Sequence, residues 1–220
     1  MTEPDPTVFV IDDDASVRKS LTRLLGSAGY RTEAFASARE FLQRGASRGP
    51  GCLVLDLQLP DMNGLELQKA LAQAAHSLPI IFISGHGDIP LSVRAMRGGA
   101  IDFLPKPFAV ADLLRAISEA LERSRRDMKV QRENAAIHER LARLTPREHE
   151  VMCGVVAGKL NKQIAAELGV GEQTVKVHRG RVMEKMAVRS VADLVRLVER
   201  CGAMSVAPAD EPPPPYPVVT

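Results

Sequence analysis

Four aspartates, a serine and a lysine form the part of this 220-residue sequence best suited to chemistry. Asp12, Asp13 and Asp14 directly follow one short apolar run, and Asp56 closes another. Ser84 ends a further run, and Lys106 follows the last, between Pro105 and Pro107. Carboxylates gathered in one crevice repel: like charges ~4 Å apart cost on the order of 4 kcal/mol per pair at an effective dielectric near ~20. A cation relieves that cost, and oxygen-only ligands with room for water suit Mg²⁺. A carboxylate nucleophile, a divalent cation, a hydroxyl and a lysine are the parts for in-line phosphoryl transfer to Asp56. The cation and Lys106 would neutralise the equatorial oxygens, and the Ser84 hydroxyl would take one of them. Read singly, the aspartate triplet would merely cap the helix that follows it.

The elements that must position these groups are legible. Thr7–Ile11, Arg31–Ala36, Cys52–Asp56, Pro79–Ser84 and Asp102–Leu104 read as strands. Leu53-Val54-Leu55 and Ile80-Ile81-Phe82-Ile83 are apolar on both faces, as buried parallel strands must be. Amphipathic helices lie between them. In the first, Val17, Leu21, Leu24, Leu25 and Ala28 share a face, and Gly29 ends it. Alternating strand and helix predicts an α/β fold, a doubly wound five-stranded parallel sheet. In the order 2-1-3-4-5, strands 1 and 3 meet at the topological switch point, and ligands bind there at the carboxyl ends. Two of the three N-terminal acids and Asp56 are expected to converge in that crevice.

The remainder is helical. Residues 142–204 carry 11 Lys and Arg against 7 Asp and Glu, a net +4 in a chain whose total is +2. The positive charge is thus concentrated where a polyanion would bind. Thr145-Pro146-Arg147-Glu148 is a helix start with a capping box, Asn161 is expected to cap a second helix, and Gly169-Val170-Gly171 turns into Glu172–Met186. A short helix, a glycine turn and a second helix make a helix-turn-helix. Val175, Val182 and Met186 form its buried face, with Gln173, Lys176, Val177, Gly180 and Glu184 opposite. Lys176 and Gln173 would read base edges, and Val177 would meet a thymine methyl. Arg179 and Arg181 flank that face, and Asn161, Lys162 and Thr174 sit where phosphate contacts are expected. Leu121, Met128 and Ile137, in the charged stretch before this domain, are expected to add a dimer contact.

Both halves resemble known families. Val10-Ile11-Asp12-Asp13-Asp14, Leu55-Asp56-Leu57-Gln58-Leu59-Pro60-Asp61-Met62-Asn63-Gly64, Ile83-Ser84-Gly85-His86-Gly87-Asp88 and Phe103-Leu104-Pro105-Lys106-Pro107-Phe108 resemble receiver domains of two-component response regulators, the FixJ subgroup most. The resemblance implies that Asp56 accepts a phosphoryl group from a sensor histidine kinase. It implies that Asp12, Asp13, Asp56 and the backbone carbonyl of Gln58 hold Mg²⁺, with Asp14 outside. It also implies that Ser84 and Phe103 form a switch pair and that the Lys106–Pro107 bond is cis. Leu144-Thr145-Pro146-Arg147-Glu148, Asn161-Lys162-Gln163-Ile164-Ala165 and Thr174-Val175-Lys176-Val177-His178-Arg179 resemble the all-α, four-helix LuxR-type DNA-binding domain. Gly171 departs from its usual Ser or Thr cap, and Gly180 stands where some relatives carry a base-reading lysine.

The sequence therefore reads as a receiver domain (1–125), a helical linker (126–141), a LuxR-type helix-turn-helix domain (142–204) and a Pro-rich tail (205–220) expected to be disordered. Its expected partners are a histidine kinase, double-stranded promoter DNA, RNA polymerase and, once phosphorylated, a second copy. Two other readings stand beside it. One is a transcription factor that works without phosphorylation. The other is a Mg²⁺-dependent phosphatase of the haloacid dehalogenase kind with Asp12 as nucleophile, which leaves Asp56 and the second domain unexplained. Three cysteines without C-x-x-C spacing argue against disulfides or zinc. No apolar run approaches the ~18 residues of a membrane span, and a cytoplasmic location is expected.

Overall fold

The computed structural model describes residues 5–44, 49–73, 78–85 and 89–200. His86–Asp88, Cys201 and the Pro-rich tail lie outside them. The chain divides into two compact units, Met1–Lys129 and Val130–Thr220.

The first unit is built on five parallel strands: β1 (Thr7–Ile11), β2 (Arg31–Phe35), β3 (Gly51–Asp56), β4 (Ile80–Ser84) and β5 (Asp102–Pro105). Their order is 2-1-3-4-5, as expected. Every residue of β1, β3 and β4 is buried, which explains their unbroken apolar character. Strand alternation sends Val8 and Val10 to one core and Phe9 and Ile11 to the other. Helices α1 (Ala15–Ser27) and the first part of α5 (Val110–Ala142) cover one face. Helices α2 (Ala38–Gln43), α3 (Gly64–Gln73) and α4 (Ile89–Arg97) cover the other. The register pairs Ile11 with Leu55, Asp56 with Ile83 and Ser84 with Pro105. The residues that follow or end β1, β3, β4 and β5 thus gather along one edge.

Leu113, Ala116, Ile117, Ala120 and Leu121 repeat at helical spacing and pack into the first unit's core, and Ser124 Oγ accepts from the Gly51 amide at 3.0 Å. Residues 126–141 are helical, the second part of α5. Ile137 is 5% exposed within the core of the second unit, and Leu141 packs beside it. Arg140 donates to the Met186 carbonyl at 3.3 Å, and Arg200 pairs with Glu133. The dimer contact expected through Leu121 and Ile137 is corrected for the same reason: each apolar side chain is already buried in its own unit, while Met128 is half-buried.

The second unit adds α6 (Pro146–Val156), α7 (Asn161–Leu168), α8 (Glu172–Lys185) and α9 (Val191–Arg200). Thr145 caps α6: its hydroxyl accepts from the Glu148 amide at 3.3 Å, and the Glu148 carboxylate accepts from the Thr145 amide at 2.9 Å. The cap of α7 is Leu160, not Asn161, which is the first helical residue. The Leu160 amide finds its acceptor in Gln163 Oε1 at 2.8 Å, so no polar cap side chain is required there. Gly169 closes α7 with φ 67°, a conformation that favours glycine. Gly171 caps α8 without a side-chain hydrogen bond.

Glu148 is buried and also accepts from Lys185 Nζ at 2.6 Å. Lys185 and the Thr145 amide together hold its carboxyl at about 2, below its ordinary 4.5. The unfolded chain takes up this proton first, so the contribution to stability is complete above pH 4.5 and is lost as pH falls toward 2. Glu148→Gln is expected to lower the thermal midpoint of the second unit at neutral pH. The same substitution should flatten the acid limb of midpoint against pH in that window, as measured by calorimetry.

Candidate functional site

Asp56 is the last residue of β3, Asp12 follows β1 directly, and Lys106 follows β5. Topology brings the three together. Lys106 Nζ donates to Asp12 Oδ2 at 2.7 Å and to Asp56 Oδ1 at 3.0 Å. The Asp12 side chain is 1% exposed and that of Asp56 10%, while Lys106 retains 27%. The lysine is therefore the wetter partner of two dry carboxylates. The opposite oxygens are also held: Asp56 Oδ2 accepts from the Gln58 amide at 3.0 Å, and Asp12 Oδ1 from the Asp14 amide at 2.9 Å.

Burial pushes the Asp56 carboxyl above its ordinary range, with Asp12 adding to the rise; Lys106 and the Gln58 amide pull the other way without cancelling it. Burial alone would lower Lys106, but its hydrogen bonds to Asp12 and Asp56 outweigh that and hold the ammonium above its usual value. One ammonium for two carboxylates leaves a net −1 in the crevice.

Asp12 meets Asp56 through their shared lysine; Asp13 is exposed, and Asp14 caps α1 by accepting from the Ser16 amide at 2.7 Å. Among the described residues no group of three or more His, Cys, Asp or Glu side chains forms a metal cage. Lys106 bridges the two inner carboxylates. Gln58 lies exposed at the start of the β3–α3 loop. Ser84 is 1% exposed at the end of β4, and its carbonyl accepts from the Lys106 amide at 2.7 Å. Phe103 is half-buried, with its ring 6.4 Å from that of Phe82. The Lys106–Pro107 bond is cis.

Two groups had no assigned role in the sequence reading. Arg18 donates to the carbonyls of Asp12 and Asp13 at 2.7 and 2.9 Å, clamping the acidic loop from the first turns of α1. The signal available was a basic residue four positions after the Asp14 cap. Gly64 opens α3 where a Cβ would lie 2.8 Å from the Asp56 carbonyl and 3.2 Å from Leu57 Cα. Both obstacles are backbone and cannot swing aside.

In the second unit Val175, Val182 and Met186 are buried as expected, at 0%, 1% and 0%. Gln173, Thr174, Lys176, Val177 and Arg181 are exposed on α8, and Lys162 on α7. Asn161 and Arg179 are brought together instead of standing apart: Arg179 Nη1 donates to Asn161 Oδ1 at 3.0 Å, joining α7 to α8. This pairing holds the two helices of the helix-turn-helix and fixes Arg179 in place.

Gly64→Ala is expected to displace the Asp56 backbone and slow phosphorylation by a small phosphodonor at least about tenfold, since ångström-scale misplacement costs that much or more. Overpacking should also remove roughly 1–3 kcal/mol of stability. Rates of acyl-phosphate formation and a urea titration check the two effects.

Residues 8–118 match the response regulator receiver domain family, and residues 142–198 match the luxR family of bacterial regulatory proteins. The chain is 52% identical over 195 residues to Nodulation protein W of Bradyrhizobium diazoefficiens, covering 89% of this chain and 86% of that protein. It is 44% identical to the response regulator protein TmoT of Ectopseudomonas mendocina, covering 91% of each. It is 41% identical to the transcriptional regulatory protein FixJ of B. diazoefficiens, covering 90% of this chain and 97% of FixJ. Among solved structures, the response regulator StyR superposes with a TM-score of 0.79 at 48% identity, covering 90% of this chain and 100% of StyR. With both family models matched and these relatives covered along nearly their whole length, the chain belongs to the FixJ-like response regulators with a LuxR-type DNA-binding domain.

Proposed function

We propose that this protein takes a phosphoryl group from the phosphohistidine of a sensor kinase onto Asp56 and thereby controls its own binding to promoter DNA. The observation that carries the reading is the Lys106 ammonium shared between Asp12 and Asp56. An Asp56 oxygen attacks phosphorus, the P–N bond to the imidazole breaks as the P–O bond forms, and the imidazole leaves with a proton. Lys106 is already within reach of the oxygen that changes charge. The Ser84 hydroxyl, buried at the neighbouring strand end, is the donor for a phosphoryl oxygen.

The donor chemistry fits Mg²⁺: every candidate ligand is oxygen, and Lys106 leaves the inner pair with one uncompensated charge. Asp12, Asp13, Asp56 and the Gln58 carbonyl would hold it, with Asp13 supplying the acid that Lys106 keeps from the inner pair. When bound, the ion offsets charge on the transferring phosphoryl oxygens. The receiver match over residues 8–118 and the luxR-family match over residues 142–198 support this reading over a phosphatase with Asp12 as nucleophile, which leaves the second unit unexplained.

A phosphoryl group on Asp56 draws Lys106 and Ser84 toward it. Movement of the Ser84 hydroxyl opens space beside β4 and β5, and Phe103, half-buried there, rotates inward. That is a local charge event biasing a two-state element. The altered face promotes pairing of two copies, whose α8 helices then occupy adjacent major grooves about one helical turn apart. Lys176 and Gln173 read base edges, Val177 meets a thymine methyl, and Lys162, Thr174, Arg179, Arg181 and Asn161 position the phosphates. RNA polymerase is the further partner, and the protein itself turns over no substrate. Kinase, DNA and polymerase place it in the cytoplasm; among the described residues no helix is long and apolar enough to cross a membrane.

The test is solution molar mass in Mg²⁺, with and without beryllofluoride as a phosphoryl mimic, for wild type and Asp56→Asn. Millimolar Mg²⁺ is expected to raise the wild-type thermal midpoint, and beryllofluoride to shift wild type alone toward dimer. Equal mass under both conditions would contradict phosphorylation-driven pairing.

A further inference from the structure

The loop from β3 to α3 carries Gln58, and backbone bonds fix its two ends. The Leu57 amide donates to the Ile83 carbonyl at 3.1 Å, and the Gly64 amide donates to the Leu57 carbonyl at 2.9 Å. Asn63 stands at the start of α3, its Oδ1 accepting from the Leu65 amide at 2.9 Å. Between those ends Gln58, Pro60 and Asp61 are exposed, while Leu59 and Met62 lie partly buried against the core. An exposed loop of this kind needs an anchor if a carbonyl on it is to keep its aim.

Asp61 is placed to be that anchor. Its Oδ2 accepts from the Arg39 amide at 2.8 Å and its Oδ1 from the Ala38 amide at 3.3 Å, 22 and 23 residues away. Those two amides open α2, where backbone N–H groups have no partner within the helix. Ser37, the cap of α2, takes the next amide, that of Glu40, at 3.2 Å. A loop carboxylate thus completes a helix start that its own cap serves only in part, and a helix N-terminus favours a negative charge. The other end of the tether is firmly seated: Ala38 and Phe41 are 0% and 4% exposed and fix α2 in the core.

Gln58-Leu59-Pro60-Asp61 is a short segment, and it is stiff. The ring of Pro60 locks its φ, and a residue before proline, here Leu59, is restricted to extended backbone. A displacement at Asp61 is therefore passed back to Gln58. From the other side the Gln58 amide is held by Asp56 Oδ2 at 3.0 Å. The segment is thus held at one end by Asp56 and, through Asp61, at the other by α2.

We propose that Asp61 is a positioning residue for phosphorylation: by tying the loop to the start of α2, it aims the Gln58 carbonyl at the divalent cation used in phosphoryl transfer to Asp56. It acts through the loop and supplies no ligand itself. The inference rests on the Mg²⁺ site proposed above and deepens it, since it gives α2 a part in holding that site.

The experiment follows the thermal midpoint of the full chain against Mg²⁺ concentration, for wild type, Asp61→Ala and Asp61→Asn. The midpoint in metal-free buffer reports the fold, and its rise with Mg²⁺ reports affinity. Asp61 is exposed, so neither variant disturbs the core. Asp61→Ala is expected to weaken Mg²⁺ binding about tenfold, the low end of the loss when a group that orients a metal ligand is removed. Asp61→Asn should stay within about twofold of wild type, because asparagine serves helix amides about as well as aspartate. Saturating Mg²⁺ is expected to bring the rate at which acetyl phosphate labels Asp61→Ala back near that of wild type. If Asp61→Ala lowers the metal-free midpoint but binds Mg²⁺ like wild type, the tether serves the fold alone and the proposal is overturned. Equal weakening in both variants would overturn it too, by assigning the effect to the lost charge. A wild type that takes up no Mg²⁺ would overturn the Mg²⁺ reading itself, and this inference with it.

Discussion

The structure of the receiver turns on one ammonium group. Lys106 lies 94 residues from Asp12 and 50 from Asp56, yet it is within hydrogen-bond distance of both. Carboxylates brought this close repel, and the shared ammonium offsets that repulsion. Breaking a fully buried ion pair costs roughly 3–5 kcal/mol, and the cost here is lower because Lys106 is 27% exposed. That exposure is also what makes the group useful. A lysine locked in the interior would hold the carboxylates and nothing else; one at the rim can turn to a newly arrived dianion. The site is thus stable enough to persist and open enough to respond.

Everything around that group serves to aim it. Parallel pairing sets Ser84 opposite Pro105 and Asp56 opposite Ile83, so the strand ends form a single edge. Arg18 grips the acidic loop by its carbonyls, and the missing side chain of Gly64 lets α3 start against the Asp56 backbone. Asp61 fastens the loop between β3 and α3 to the start of α2 by accepting from the amides of Ala38 and Arg39 at 3.3 and 2.8 Å. In the second unit Glu148 has a comparable organising role. It closes the cap of α6 while engaging Lys185 at the end of α8, which fixes the two helices against each other.

Much of this was legible before any coordinates. Period and composition give the five strands to within a residue or so at each end, and the observed order 2-1-3-4-5 is the expected doubly wound one. What escaped the sequence is informative. Asn161 reads as a cap because Asn favours that position, but the Gln163 side chain satisfies the Leu160 amide and frees Asn161 to meet Arg179. Ile137 reads as part of a linker seam because helical periodicity cannot say which surface an apolar residue finds; it belongs to the second unit's core. In each case the residue type was read correctly, and a long-range partner decided its place.

The central claim is that Asp56, and not Asp12, receives the phosphoryl group. The direct measurement is to phosphorylate the protein with acetyl phosphate in Mg²⁺, reduce the acyl phosphate with borohydride and map the modified peptide by mass spectrometry. The account predicts modification at Asp56 alone, absent from Asp56→Asn. Modification at Asp12, or undiminished labelling of Asp56→Asn, would contradict it.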